Sequence, residues 1–113
     1  MEMIFFRACR GEGKTKWLFD QAIRAREAKV DIWYVGNRKT MDSLSKMWIE
    51  QFHELCPIKN IGEWRPAESR RNVGCFLTDG LIENIEMVGF WKKVVDDING
   101  VWYITMDKEC FID

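Results

Sequence analysis

Short apolar runs alternate along this chain with longer stretches of helical period, and that alternation restricts the fold more than any other feature. Residues 3 to 8, MIFFRA, are apolar and aromatic and end at a glycine-bearing turn, as a buried strand does. From Thr15 to about Lys29 there is neither proline nor glycine. Leu18, Ala22 and Ala25 share one face there, with Trp17 beside them. Arg24, Arg26 and Lys29 crowd the last turns, where cations complement the helix dipole. Residues 30 to 37, VDIWYVGN, are β-branched and aromatic and stop at Gly36-Asn37, which reads as a second strand. The stretch 40 to 57 places Leu44, Met47, Trp48, Phe52 and Leu55 at helical spacing, with Thr40 or Asp42 as cap and Pro57 marking the end.

Residues 58 to 72 are polar and read mostly as a loop, with room for a short strand near Ile61. An apolar run over 73 to 80 ends in Asp79-Gly80. Leu81, Ile85, Val88, Val95 and Ile98 then predict a helix over 81 to 98, interrupted by Gly89 and closed by Asn99-Gly100. VWYITM, 101 to 106, is another strand, and the tail after it adds an edge strand or nothing. Strands separated by helices of this length need parallel crossovers. The expected fold is therefore α/β, one domain over 1 to 113: a three-layer sandwich with a mostly parallel sheet of about four or five strands. In such sheets ligands bind at the carboxyl ends of the strands.

The composition, 47% hydrophobic and 31% charged, is that of a folded domain rather than a disordered chain. With 17 basic and 18 acidic side chains the net charge is -1, which excludes a globally basic nucleic-acid binder but leaves room for a local basic patch. Six tryptophans are expected in the core. Cys9, Cys56, Cys75 and Cys110 lie far apart with only His53 as an imidazole partner, so no zinc site is expected. Free thiols in a reducing cytoplasm are the simplest account of them. His53 reads as structural. The N-terminus lacks the basic and apolar regions of a signal peptide, and no run is long enough to cross a bilayer.

The stretch FFRACRGEGKTKWL carries the chemistry. A phosphate-binding loop requires glycine, four residues, then Gly-Lys-Ser/Thr, and here the match is Ala8-x-x-x-x-Gly13-Lys14-Thr15. Alanine at the first position is small enough to be tolerated. Across Ala8, Cys9, Arg10, Gly11, Glu12 and Gly13, successive backbone N–H groups must turn inward around a phosphate, and glycines permit the necessary angles. Lys14 supplies a mobile positive charge for the β and γ phosphates. The Thr15 hydroxyl would ligate Mg²⁺, and the following helix adds its positive N-terminal end. Sites of this kind hold a carboxylate at the end of another buried strand, and Asp79 is that acid.

RACRGEGKT with Asp79 downstream resembles the P-loop NTPase superfamily over most of the chain. Arg10 makes the loop similar to those of viral and phage DNA-packaging ATPases, which often read A-R-G-x-G-K-S/T, and VDIWYVGNRKT looks like their second strand. This closer likeness covers about residues 3 to 40. The resemblance implies Lys14 and Thr15 on phosphate and Mg²⁺, Asp79 as the Walker B acid and Arg10 as a sensor of the γ-phosphate. Those ATPases usually carry a catalytic glutamate directly after the Walker B aspartate, whereas here the position is Gly80. Glu83 could substitute if the turn brings it back toward the loop. There is no room for a nuclease domain, so DNA cleavage is not expected. No N-K-x-D guanine-reading signature is present, which favours ATP over GTP.

Hydrolysis also needs a positioned water and charge neutralisation in the transition state. Glu83 and Asp107 are the candidate acids for the water, and Thr105 is a candidate polar sensor. Arg65, Arg70 and Arg71 could reach a neighbour's nucleotide, or form a solvated basic loop. Arg38-Lys39 with Arg70-Arg71 could make a basic surface for nucleic acid. The leading expectation is a cytoplasmic, oligomeric and phage-like ATPase, with Lys14, Asp79, Glu83 and Arg10 as its catalytic set. It would act on DNA, RNA or a nucleoprotein complex and not on a membrane. Gly80 and the small size support a rival, a non-hydrolysing nucleotide-binding or protein-docking module of the same fold. A small-molecule kinase is a third reading, with little chain left for a lid. Trp17, two residues after Thr15, is placed to report on the loop.

Overall fold

Successive residues of the second strand enter two different cores, and this sets the layering. In the computed structural model, which describes residues 1–65 and 74–108, Ile32 and Tyr34 join one apolar cluster while Trp33 and Val35 join the other. The same alternation places Cys75 and Leu77 on the first face and Phe76 on the second. Such two-sided burial belongs to a strand covered on both faces, and the sheet is parallel throughout.

The strands are β1 (Glu2–Ala8), β2 (Asp31–Tyr34), β3 (Lys59–Asn60), β4 (Gly74–Thr78) and β5 (Gly100–Asp107). They lie in the order β1-β5-β4-β2-β3. The helices are α1 (Lys14–Glu27), α2 (Arg38–Phe52) and α3 (Ile85–Val95), with 3-10 turns at Ile61–Glu63 and Ile82–Asn84. Leu18, Phe19 and Ala22 of α1 pack with Leu44 and Trp48 of α2 on one face of the sheet. Val88 and Val95 of α3, with Ile98, cover the other face against Phe76, Trp102 and Ile104. The expected α/β three-layer architecture is what forms. Trp33, Trp48 and Trp102 are buried, and Trp17, Trp64 and Trp91 are packed against the two clusters.

Several local readings need correction. The cap of α2 is Asn37, whose side chain accepts the N–H of Thr40, rather than Thr40 or Asp42. That helix stops at Phe52 with His53 in the left-handed region (φ 53), short of Pro57, so Leu55 falls outside it and is exposed. The helix expected over 81 to 98 is a 3-10 turn followed by α3; it runs through Gly89 and leaves Ile85 exposed. The strand near Ile61 is Lys59–Asn60, and Ile61 begins the 3-10 turn. Cys56 and Cys75 are free thiols, but Cys9 is disulfide-bonded, so the four cysteines are not all free. Cys110, Arg70 and Arg71 lie outside the described residues. Among the described residues no helix is long and apolar enough to cross a membrane.

Candidate functional site

Because every strand runs the same way, Ala8, Tyr34, Thr78 and Asp107 end β1, β2, β4 and β5 at one edge of the sheet. The loop from Cys9 to Gly13 crosses that edge and delivers the chain into α1. Gly11 (φ 83) and Gly13 (φ 82) take left-handed angles, with open space where a Cβ would stand. The backbone angle therefore calls for glycine at these two positions, rather than crowding. Gly13 is the residue before α1, and its carbonyl accepts the N–H of Trp17 at 2.9 Å.

Lys14 and Thr15 open α1 and reach in different directions. The Lys14 ammonium donates to the carbonyls of Ala8 (3.2 Å) and Cys9 (3.0 Å) and meets Oδ1 of Asp107 at 2.9 Å. The Thr15 hydroxyl donates to Oδ2 of Asp79 at 3.0 Å. The other oxygen of Asp79 accepts from Thr105 Oγ1 at 2.8 Å, and Thr105 Oγ1 accepts the N–H of Gly80 at 2.8 Å. Asp79 is thus held between a hydroxyl from α1 and one from β5, the strand that lies between β1 and β4.

Asp79 is also fixed through its backbone. Its N–H donates to the Tyr34 hydroxyl at 3.2 Å, and that hydroxyl donates to Thr40 Oγ1. Burial pushes the Tyr34 hydroxyl up to about 12, against smaller opposing effects of its bonds to Thr40 and Asp79. Asn84, buried, donates to the carbonyls of Asp79 (3.1 Å) and Gly80 (2.9 Å) and accepts from the Asn37 N–H at 2.8 Å. This clamps the start of α2 to the turn after β4.

These groups enclose an open cavity of about 740 Å³, walled by Arg10, Gly11, Gly13, Lys14, Thr15 and Lys16 on one side. Thr40, Ser43, Asp79, Gly80, Glu83, Thr105 and Asp107 form the other. That volume lies within the range of about 300–1,000 Å³ usual for small-molecule sites. Lys14, Thr15, Asp79, Arg10, Glu83, Thr105 and Asp107 therefore share one cavity, although they come from the loop, α1, the ends of β4 and β5 and the 3-10 turn Ile82–Asn84. Gly80 has φ +90, and a Cβ there would stand 2.5 Å from Oε2 of Glu83, so the turn does bring Glu83 back over this edge.

Other sequence-derived residues lie elsewhere. Ala8 and Cys9 serve through their carbonyls, while Glu12 folds back so that Oε1 accepts the Cys9 N–H at 2.6 Å. Trp17 stacks on Phe6 at 4.8 Å and meets Tyr103 edge-on at 5.7 Å, away from the cavity wall. Arg38, Lys39, His53 and Arg65 are exposed and do not line the cavity. Sequence reasoning missed Tyr34, Ser43 and Asn84. It took Thr40 only as a cap and Asn37 only as the end of a strand. Asn37 after a strand and before a polar helical turn was a readable cap signal, but nothing local marked Asn84.

The oxygen donors at Thr15 and Asp79 suit a hard cation, and among the described residues no group of three or more His, Cys, Asp or Glu side chains could cage a metal. No protein-family model, curated protein or solved structure matches the chain.

Proposed function

We propose that this chain binds Mg-ATP in the cavity between its glycine loop and Asp79, and hydrolyses it. The observation that carries the reading is the convergence of Lys14 and Thr15, at the start of α1, with Asp79 at the end of β4, the Thr15 hydroxyl lying 3.0 Å from the carboxylate. The N-terminus of α1 brings unpaired N–H groups and a partial positive charge to the same place. The likeness of RACRGEGKT to the P-loop NTPases points the same way.

In this reading the loop amides and the Lys14 ammonium hold the β and γ phosphates. Thr15 and Asp79 hold Mg²⁺, which when bound would neutralise phosphate charge. Arg10, on the cavity wall, approaches the γ-phosphate. Thr105 fixes the orientation of the Asp79 carboxylate. Glu83, whose carboxylate returns over Gly80, orients the attacking water in place of an acid directly after Asp79. Exposed Arg38 and Lys39 begin α2, whose Thr40 and Ser43 line the cavity, so a basic surface adjoins the site and supports work on nucleic acid. The open side of the cavity admits groups from a second copy of the chain.

A second reading, a nucleotide-binding module that does not turn over, is favoured by Gly80. At φ +90 that position excludes the adjacent acid, and Glu83 is left as the remaining nearby carboxylate on that turn. Titration of wild type and Lys14→Ala with Mg-ATP and Mg-GTP, followed by phosphate release with and without DNA, tests both. The expected result is ATP binding that Lys14→Ala abolishes, with release by the wild type that DNA stimulates. Binding without release supports the second reading. No binding to wild type overturns both.

A further inference from the structure

Lys14 has no hydrogen left to give. An ammonium carries three donors, and its partners here are the carbonyls of Ala8 and Cys9 and the carboxylate of Asp107. The two carbonyls are backbone groups, one on the last residue of β1 and one on the first residue of the loop, and cannot leave without moving the main chain. Asp107 is a short side chain on the last residue of β5. Its side chain is 57% exposed whereas that of Lys14 is 13%, so water can take over the carboxylate when it turns away.

The loop amides show the same pattern. Glu12 Oε1 accepts the Cys9 N–H at 2.6 Å, and the Glu12 N–H returns to the Cys9 carbonyl at 3.2 Å. Two of the chain's own carboxylates thus engage one loop amide and the loop lysine. Asp107 is the one of the two that lines the cavity. Thr105 and Asp107, two residues apart, project to the same side of β5. One strand end therefore holds the acid of the site through Thr105 and its lysine through Asp107.

We propose that Asp107 is an internal competitor for the Lys14 ammonium, a counter-ion that an incoming polyphosphate must displace and that therefore sets the affinity of the site. The proposal rests on the phosphate-binding reading above. A triphosphate replaces one carboxylate with a more highly charged partner, so displacement succeeds but costs affinity. Removing the negative charge removes that cost. Asp107→Asn binds Mg-ATP about two- to fivefold more tightly than wild type, as expected for a partly exposed charge pair, and the gain shrinks as salt rises.

The test is a parallel titration of wild type, Asp107→Asn, Asp107→Ala and Lys14→Ala with Mg-ATP, combined with acylation of the nucleotide-free proteins. Modification of Lys14 is followed by mass spectrometry. The expected result is tighter binding by both Asp107 variants, loss of binding in Lys14→Ala, and Lys14 labelling several-fold faster without the Asp107 charge. Weaker or unchanged binding by both Asp107 variants, with Lys14→Ala still inactive, overturns the competition and leaves the nucleotide reading intact. Equal labelling of Lys14 in wild type and Asp107→Asn overturns it without reference to any nucleotide. No Mg-ATP binding by wild type or by either Asp107 variant removes the nucleotide reading and the proposal together.

Discussion

Gly80 is the residue at which sequence and structure give different reasons for the same letter. In the sequence it stands where an acid is expected, directly after Asp79. In the structure its φ of +90 is one that side chains rarely adopt, and the Glu83 carboxylate fills the space a Cβ would need. Left-handed backbone costs a residue with a Cβ roughly 1–2 kcal/mol. Gly80→Glu is therefore expected to lose about 1–3 kcal/mol of stability in urea unfolding and to gain no phosphate release over wild type. A stable variant with faster release would show that the turn tolerates the acid and that Glu83 is dispensable. That Lys14, Thr15 and Asp79 meet at one edge of the sheet could be read from the sequence, because each follows closely on the end of a strand in a parallel α/β fold. The part of Tyr34 could not, because a tyrosine in a strand has the same sequence signature whether its hydroxyl is orphaned or, as here, holds the N–H of Asp79.

At the scale of elements, the site depends on two helices starting at the right place. The start of α1 is written in the loop. The start of α2 depends on Asn84, which is remote in sequence: its amide accepts from the Asn37 backbone and side chain and donates to the two carbonyls after β4. Helical periodicity could not find that link, since Asn84 belongs to a 3-10 turn, where the helical reading placed no break. Periodicity also extended α2 to Leu55, because an apolar residue at the next helical position reads the same inside a helix and beyond its left-handed stop at His53. Asn84→Ala leaves the part-buried backbone groups of Asn37, Asp79 and Gly80 without this partner, at about 1–3 kcal/mol. The expected outcome is that loss in chemical denaturation, with exchange protection reduced at the Asn37 and Thr40 amides while α1 keeps its protection. Uniform loss of protection across both helices would mean that Asn84 supports the whole fold rather than this junction.

For the molecule as a whole, alternation made the parallel α/β class legible, but not the order β1-β5-β4-β2-β3. Local pattern says that a run is buried on both faces. It does not say which run lies beside it, and that is decided by packing such as the approach of Gly100 to Gly74 at the start of β5 and β4. Burial has a second consequence, in alkali. Within one core, Cys75 is pushed from 9.0 up to about 12 and Tyr34 from 10.0 up to about 12, both chiefly by desolvation of the charged form. Each group keeps its proton in the folded chain after the unfolded chain has lost it. Stability is therefore unaffected by them below the unfolded values and falls as pH rises through the window between unfolded and folded values. The slope is about 1.4 kcal/mol per pH unit for each group. Thermal unfolding of wild type should begin to decline near pH 9, where Cys75 enters its window, and steepen above pH 10, where Tyr34 does. Cys75→Ala should lose the first limb and keep the second, so that its decline begins about one unit later. Superimposable alkaline profiles for the two proteins, after allowing for a constant offset from the smaller side chain, would exclude Cys75 as the first group to titrate.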